Sequence, residues 1–154
     1  FAFNNYIKDE LYKKQRYGTQ FSLIIFDIDF FKRINDNYGH KTGDLILKKI
    51  VEISSSIIRK SDCLFRVGGE EFCIILSGAA LESGIQVSSK IRQAIEEYNF
   101  TEKIKVTMSF GVAEALENEN SDSLFKRADN CLYAAKNGGR NQVWASKGDG
   151  CFLA

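Results

Sequence analysis

Two β-rich runs, 63–67 and 72–77, are separated only by Gly68, Gly69, Glu70 and Glu71. So short a connection leaves room for little but a β-hairpin, with the glycines expected to supply positive φ and the tip to present two carboxylates. Around the hairpin the apolar pattern switches between helical and strand periods. Ile46, Ile50, Ile53 and Ile57 recur at helical spacing, as do Val87, Ile91, Ala94 and Tyr98, and Leu124, Ala128, Cys131 and Ala135, while Phe3, Ile7 and Leu11 mark an opening helix. Ser121 and Asp122 are the expected caps of the last helix, and Gly138 and Gly139 its stop. Segments 21–28, 104–112 and a short 142–145 are β-rich. The order α-β-α-β-β-α-β-α-β contains a β-α-β-β-α-β core. It predicts an α+β, ferredoxin-like fold, a central antiparallel sheet flanked by helices, with both core helices on one face.

The composition fits one hydrophobic core. The 154 residues are 44% apolar and 12% aromatic, which suits one domain and excludes a coiled coil or a disordered tail. With 21 Lys and Arg against 20 Asp and Glu the net charge is +1, so the basic excess that drives nonspecific binding to polyanions is missing. No nucleic-acid or membrane partner is expected, and any phosphate has to be met locally. The longest apolar runs, 21–26 and 72–76, fall far short of the roughly 20 residues that span a bilayer. Opening on Phe1 with no basic-then-apolar leader, the chain is expected to be an excised piece of a longer cytoplasmic protein. Cys63, Cys73, Cys131 and Cys151 form no C-x-x-C pair, and the single histidine, His40, stands at no ligand spacing from them. Reduced thiols are expected, small buried side chains plus one thiol in the tail, and no zinc. The domain is expected over 1–146, and the Gly-rich tail 147–154 is expected to fray.

The chemistry concentrates at one strand end. An apolar run ends in Asp27-Ile28-Asp29, where residues two apart share a face. Asp29 is a candidate cap for a helix beginning near Phe30, which leaves Asp27 unexplained; a hard divalent ion is the reading preferred for it. The Glu-bearing hairpin belongs to the neighbouring strand of this topology. Together the two suggest a magnesium-dependent phosphoryl-transfer site. Lys32, Lys136 and Arg140 are candidates for a phosphate cradle, although the latter two also suit a helix C-terminus. Asp44 suits the N1 and N2 donors of guanine and Asn35 the edge of the same base; equally, Thr42 can cap the next helix with Asp44 in its first turn.

These residues fall into an ordered series: Asp27-Ile-Asp-Phe-Phe-Lys-Arg-Ile-Asn-Asp36, Gly39-His-Lys-Thr-Gly-Asp44, Arg66-Val-Gly-Gly-Glu-Glu-Phe72, Ser109-Phe-Gly-Val112, Ala128-Asp-Asn-Cys-Leu-Tyr-Ala-Ala-Lys136 and Gly139-Arg-Asn141. The series resembles the GGDEF domain, the catalytic domain of bacterial diguanylate cyclases, over nearly the whole chain. The resemblance implies a nucleotidyl-cyclase palm that condenses two GTP molecules into cyclic di-GMP with release of pyrophosphate. Two copies face each other, each holding one GTP, under control of an upstream sensory or receiver domain. It implies that Asp27, the carbonyl of Ile28 and Glu70 bind Mg²⁺, or Mn²⁺ in its place, with Glu71 in the shell of the second metal. Glu70 is then also the base for the partner-bound 3′-hydroxyl, and Lys32 stabilises phosphate charge with help from Lys136 and Arg140. Phe31, Asn35, His40 and Asp44 contribute to the nucleotide pocket, and Gly68 and Gly69 leave room for it. The signature reads Gly-Gly-Glu-Glu-Phe in place of Gly-Gly-Asp-Glu-Phe, which keeps the carboxylate on a longer stem.

Arg59-Lys-Ser-Asp62 stands at the family's position for an R-x-x-D product-inhibition site. Arg59 suits a phosphate or a guanine Hoogsteen edge and Asp62 the guanine N–H groups; a helix-ending Arg followed by a turn Asp is the plainer account. Two rivals stand beside the cyclase. One is a catalytically inactive module that senses GTP or cyclic di-GMP, and the other a palm enzyme making a different product. Intact Asp27, Lys32 and Glu70 favour catalysis, and Asp44 favours guanine.

Overall fold

The computed structural model describes residues 2–154. In chain order the elements are α1 Ala2–Tyr17, β1 Phe21–Ile28, α2 Phe31–Tyr38, α3 His40–Ile57, β2 Cys63–Arg66, β3 Glu71–Ser77, α4 Leu81–Glu97, β4 Met108–Glu114, α5 Ser121–Asn137, β5 Val143–Ser146 and β6 Phe152–Leu153. The strands form one sheet in the order β2-β3-β1-β4-β5-β6. Its first four strands are antiparallel, as the β-α-β-β-α-β pattern predicts, and the crossover through α5 makes β4 and β5 parallel.

Strand β1 lies at the centre and every one of its eight residues is buried, which explains its near-continuous apolar sequence. Ile24, Phe26 and Ile28 face a cluster supplied by α2, α3 and α4, whereas Phe21, Leu23 and Ile25 face one shared with α1 and α5. The two faces thus follow the period of two along the strand. Phe72, Phe26 and Phe110 stand in register across β3, β1 and β4, with ring centroids 5.5 and 4.9 Å apart. The next row along the same register is Glu71, Asp27 and Ser109. The polar row thus begins one residue past an aromatic row and points to the opposite face of the sheet.

Several expectations are corrected. One helix between the first two strands becomes two, broken at Gly39, whose φ of 90° suits glycine. The buried stripe of α4 is Leu81, Gly84, Ser88, Ile91 and Ile95, rotated from the expected set, and Tyr98 is exposed past its end. The cap of α5 is Asn120, whose side chain accepts from Ser123 N at 2.8 Å, so neither Ser121 nor Asp122 serves. Helix α5 lies so close to β4 that a β-carbon at Gly111 would stand 2.1 Å from the Ala128 carbonyl oxygen.

The tail is not frayed. Phe152–Leu153 pair with β5, and Cys151 forms a disulfide with Cys131 of α5, their Cα atoms 5.5 Å apart. The expectation of four reduced thiols is corrected accordingly, with Cys63 and Cys73 the free pair. A sequence separation of 20 gives no signal of the pairing, because only the α5–β5–β6 path brings the sulfurs together. Among the described residues no helix is long and apolar enough to cross a membrane.

Candidate active site

Asp27 is the residue next to last in β1, paired with Glu71 on one side and Ser109 on the other. It is 4% exposed. Its Oδ2 accepts a hydrogen bond from Lys136 Nζ at 2.5 Å, while Oδ1 is buried with no partner. A buried carboxylate oxygen without a donor costs free energy unless a cation meets it. Burial pushes the Asp27 carboxyl above the usual range; the Lys136 hydrogen bond and charge oppose the rise, and Glu70 and Asp29 add to it. Glu71 is raised too, first by burial and then by the charges of Asp129 and Asp27. Asp27 and Glu71, neighbours across β1 and β3, thus both feel the charge of Lys136, which hydrogen-bonds Asp27 alone.

Asp29 does not share that role. It is no helix cap, since the residue ahead of α2 is Phe30 and makes no side-chain cap bond. Its carboxylate accepts from Thr107 Oγ1 (2.7 Å), Ser109 Oγ (2.6 Å) and Asn141 N (3.0 Å). Asp29 ties β4 and the loop after α5 to the end of β1, and leaves Asp27 as the member of the pair with spare acceptor capacity.

The hairpin tip is organised by a residue whose role the sequence reading did not single out. Arg66 Nε donates to the carbonyls of Gly68 (3.2 Å) and Gly69 (3.1 Å), and Nη2 to Gly69 at 2.6 Å. The available signal was a guanidinium two residues ahead of a Gly-Gly turn rich in unpaired carbonyls. Contrary to expectation, neither Gly68 nor Gly69 has positive φ. Their contribution is space: a β-carbon at Gly69 would meet nothing within 4 Å, and one at Gly68 only Glu71 Cβ at 3.6 Å. Glu70 is half-buried at the tip.

A cleft of about 530 Å³ opens between α3 and the hairpin, lined by Asp44, Leu47, Lys48, Val51, Glu52, Arg66 and Phe72. Helix α3 begins at His40, with no side-chain cap and no acid in its first turn. Thr42 is therefore not a cap and Asp44 is not a first-turn acid; Asp44 stands exposed on the cleft. Asn35 and His40 lie outside that lining, and Asn35 Oδ1 is buried without a partner against Gly43, where a β-carbon would come within 2.0 Å of it. Phe31 is in the core at 7% exposure and stands outside that lining as well. Lys32 is exposed on α2. A larger cleft of about 740 Å³ lies between α1, β2 and α5, but its lining is mostly apolar and includes none of the candidate residues.

Lys136 stands in the last turn of α5, as the plain reading of it as a helix-end charge has it, and also donates to Asp27. Arg140 follows on a left-handed backbone, φ 63°, just after Gly139. At the opposite end of β1 the carboxylate of Asp62 accepts from Arg59 N (2.8 Å), Nε (3.3 Å) and Nη2 (3.1 Å). Arg59 also donates to the carbonyl of Ser77, the partner of Phe21. Six residues of strand separate this pair from Asp27, about 20 Å. The Asp62 side chain is 1% exposed and that of Arg59 60%, so the turn is closed by an ion pair whose guanidinium still reaches solvent.

Mg²⁺ is bound in proteins through one or two carboxylates, with waters and substrate phosphates completing the shell. The spare oxygen of Asp27 beside Glu71 fits such a donor set. Among the described residues no three His, Cys, Asp or Glu side chains gather closely enough to hold a metal by themselves, so a bound ion needs the Ile28 carbonyl, water or substrate as well.

The family described as "Diguanylate cyclase, GGDEF domain" matches residues 1–142. Diguanylate cyclase A of Treponema denticola is 41% identical over 130 residues, covering 82% of this chain and 35% of that protein. Diguanylate cyclase DgcM of Escherichia coli K12 is 42% identical over 129 residues, 84% of this chain and 32% of that protein. The chain thus spans about a third of the length of these curated relatives. The crystal structure of the GGDEF domain of DgcB from Caulobacter crescentus, in complex with c-di-GMP, superposes with a TM-score of 0.90 at 31% identity, covering 94% of this chain and 88% of that one. The active GGEEF domain of a diguanylate cyclase from Vibrio cholerae gives 0.86 at 32% identity, with 92% of each chain covered. With its sheet order, its strand-end carboxylates and its Gly-Gly-Glu-Glu-Phe hairpin in place, this chain belongs to the GGDEF family of diguanylate cyclase domains.

Proposed function

We propose that this domain condenses two GTP molecules into cyclic di-GMP, with release of two pyrophosphates. The observation that carries the reading is the buried, unpartnered Oδ1 of Asp27, whose Oδ2 accepts from Lys136 and whose cross-strand neighbour is Glu71. Asp27, the Ile28 carbonyl and Glu70 would hold Mg²⁺, with Glu71 beside them; the ion, when bound, neutralises phosphate oxygens and orients the triphosphate. Lys32 and Arg140 offer further charge to the phosphates. Asp44 on its cleft accepts from guanine N1–H and N2–H₂, a pattern adenine lacks.

Glu70 at the hairpin tip is the base that takes the proton of the 3′-hydroxyl of a GTP held by a second copy. The oxygen so freed attacks the α-phosphorus, and pyrophosphate leaves. One chain holds one GTP, so catalysis is a property of two copies meeting face to face, and an upstream domain would control that encounter through local concentration. Arg59 and Asp62 form the product-inhibition site, their ion pair opening to take a guanine and a phosphate of cyclic di-GMP.

Chromatographic analysis after incubating concentrated protein with GTP and Mg²⁺ tests this. Cyclic di-GMP formed by the wild type and lost in Glu70→Ala is expected, with more product from Arg59→Ala. No product from an enforced dimer would overturn the reading.

A further inference from the structure

Phe30 connects β1 to α2 in a conformation that phenylalanine rarely adopts, φ 57° and ψ 34°. In that left-handed region a β-carbon crowds its own backbone. The ring is 47% exposed and belongs to neither core cluster. Neither packing nor backbone preference accounts for a large aromatic residue there.

What the ring touches is cationic. The guanidinium carbon of Arg140 lies 4.3 Å from its centroid and that of Arg33 4.4 Å, inside the roughly 6 Å over which a ring attracts a cation. Among the described residues neither guanidinium donates a hydrogen bond or pairs with a carboxylate. Arg140 is itself left-handed, within a run in which Gly139 has φ 121° and Asn141 φ 47°. The Asn141 N–H bond to Asp29 fastens that run beside Phe30. Two guanidiniums drawn to one ring repel each other and keep their donors free, an arrangement that anionic oxygens beside the ring would relieve. Stacking occupies a guanidinium's face and leaves its in-plane N–H groups for oxygen ligands. Strained backbone on both sides of one such contact points to function.

We propose that Phe30 is a positioning residue that holds Arg140 and Arg33 as a preformed pair for the terminal phosphates of the bound nucleoside triphosphate. The inference rests on the GTP reading above and deepens it, since it assigns to a ring the placement of the phosphate-binding charge.

Equilibrium titrations of GTP and of GMP, with Mg²⁺ present, test it on the wild type, Phe30→Leu, Phe30→Tyr and Phe30→Gly, with a melting curve for each. Phe30→Leu is expected to weaken GTP about fivefold and GMP less than about twofold, and Phe30→Tyr to keep GTP affinity within about twofold. Phe30→Gly relieves the left-handed backbone while deleting the ring, so it is expected to melt no lower than wild type and still lose GTP affinity. In an Arg33→Ala/Arg140→Ala background the Phe30→Leu exchange is expected to be silent. Wild-type affinity for GTP in both Phe30→Leu and Phe30→Gly, a parallel fall for GMP, or failure of Phe30→Tyr to rescue would each overturn the proposal. A wild type that binds GTP no better than GMP overturns the GTP reading and this inference together. Weakening by Arg140→Ala while the Phe30 variants bind normally overturns this inference alone.

Discussion

Lys136 Nζ reaches Asp27 Oδ2 at 2.5 Å across 109 positions of sequence, from the last turn of α5 to the end of β1. The bond satisfies one oxygen of a buried carboxylate and leaves the other open. Lys136→Met is expected to lower stability by about 1–3 kcal/mol, because the carboxylate then stays buried without its donor. Asp27→Asn is expected to unfold at least as high in urea as the wild type and to form no cyclic di-GMP. Urea unfolding of the two variants, with product analysis of the second, checks both.

Asp44 lines the cleft between α3 and the hairpin and is the guanine acceptor of the function proposed above. Asp44→Ser is expected to relax selectivity for GTP over ATP by about tenfold or more, the cost of one charged hydrogen-bond acceptor. Competition titrations with the two nucleotides measure it, and unchanged selectivity would remove Asp44 from the guanine site.

Arg127 on α5 donates through Nε and Nη2 to the two oxygens of Glu119, both at 2.7 Å, and through Nη2 to the Glu114 carbonyl. Burial acts to raise the Glu119 carboxyl, but the donors Arg127, Leu116 N–H and Ser123 outweigh it and hold it below its ordinary 4.5. A depressed carboxyl contributes stability that is complete above the unfolded value and is lost as pH falls through the folded one. The stability gap between wild type and Glu119→Gln is therefore expected to be full near pH 7 and to close below about pH 4. Urea midpoints at both pH values decide it.

The Cys131–Cys151 bond closes a loop of 20 residues. Reduction, or Cys151→Ser, is expected to cost about 3 kcal/mol and to release β6 from β5. Unfolding with and without reductant reads the first effect, and hydrogen exchange at Ala154 N, which bonds to Val143 O, the second.

Gly111→Ala tests the seat of α5. Its β-carbon would meet backbone atoms of Ala128 and Leu132 at 2.1 and 2.4 Å, and backbone cannot rotate away. A loss of about 2–4 kcal/mol is expected, with weaker GTP binding, since Lys136 rides on that helix and Arg140 on the loop that follows it.

Much of this molecule was legible in its residues. Alternating periods named the central strand, the hairpin and the α5 stripe, because a buried face must repeat every two residues in a strand and about every 3.6 in a helix. Asp27 also stood out, since a carboxylate at an apolar strand end has no packing reason to be there, and one of its oxygens is indeed buried without a partner. Local pattern could not show which of two neighbouring aspartates stays open: Asp29 is saturated by Thr107, Ser109 and Asn141, all more than 75 residues away. Nor could it show that Lys136 is spent on Asp27, that Phe31 turns into the core while Phe30 stays out, or that the tail is stapled through Cys151. Periodicity reports which face of an element is buried; what a side chain meets there depends on long-range packing, and only the folded sheet with α5 laid across it decides that.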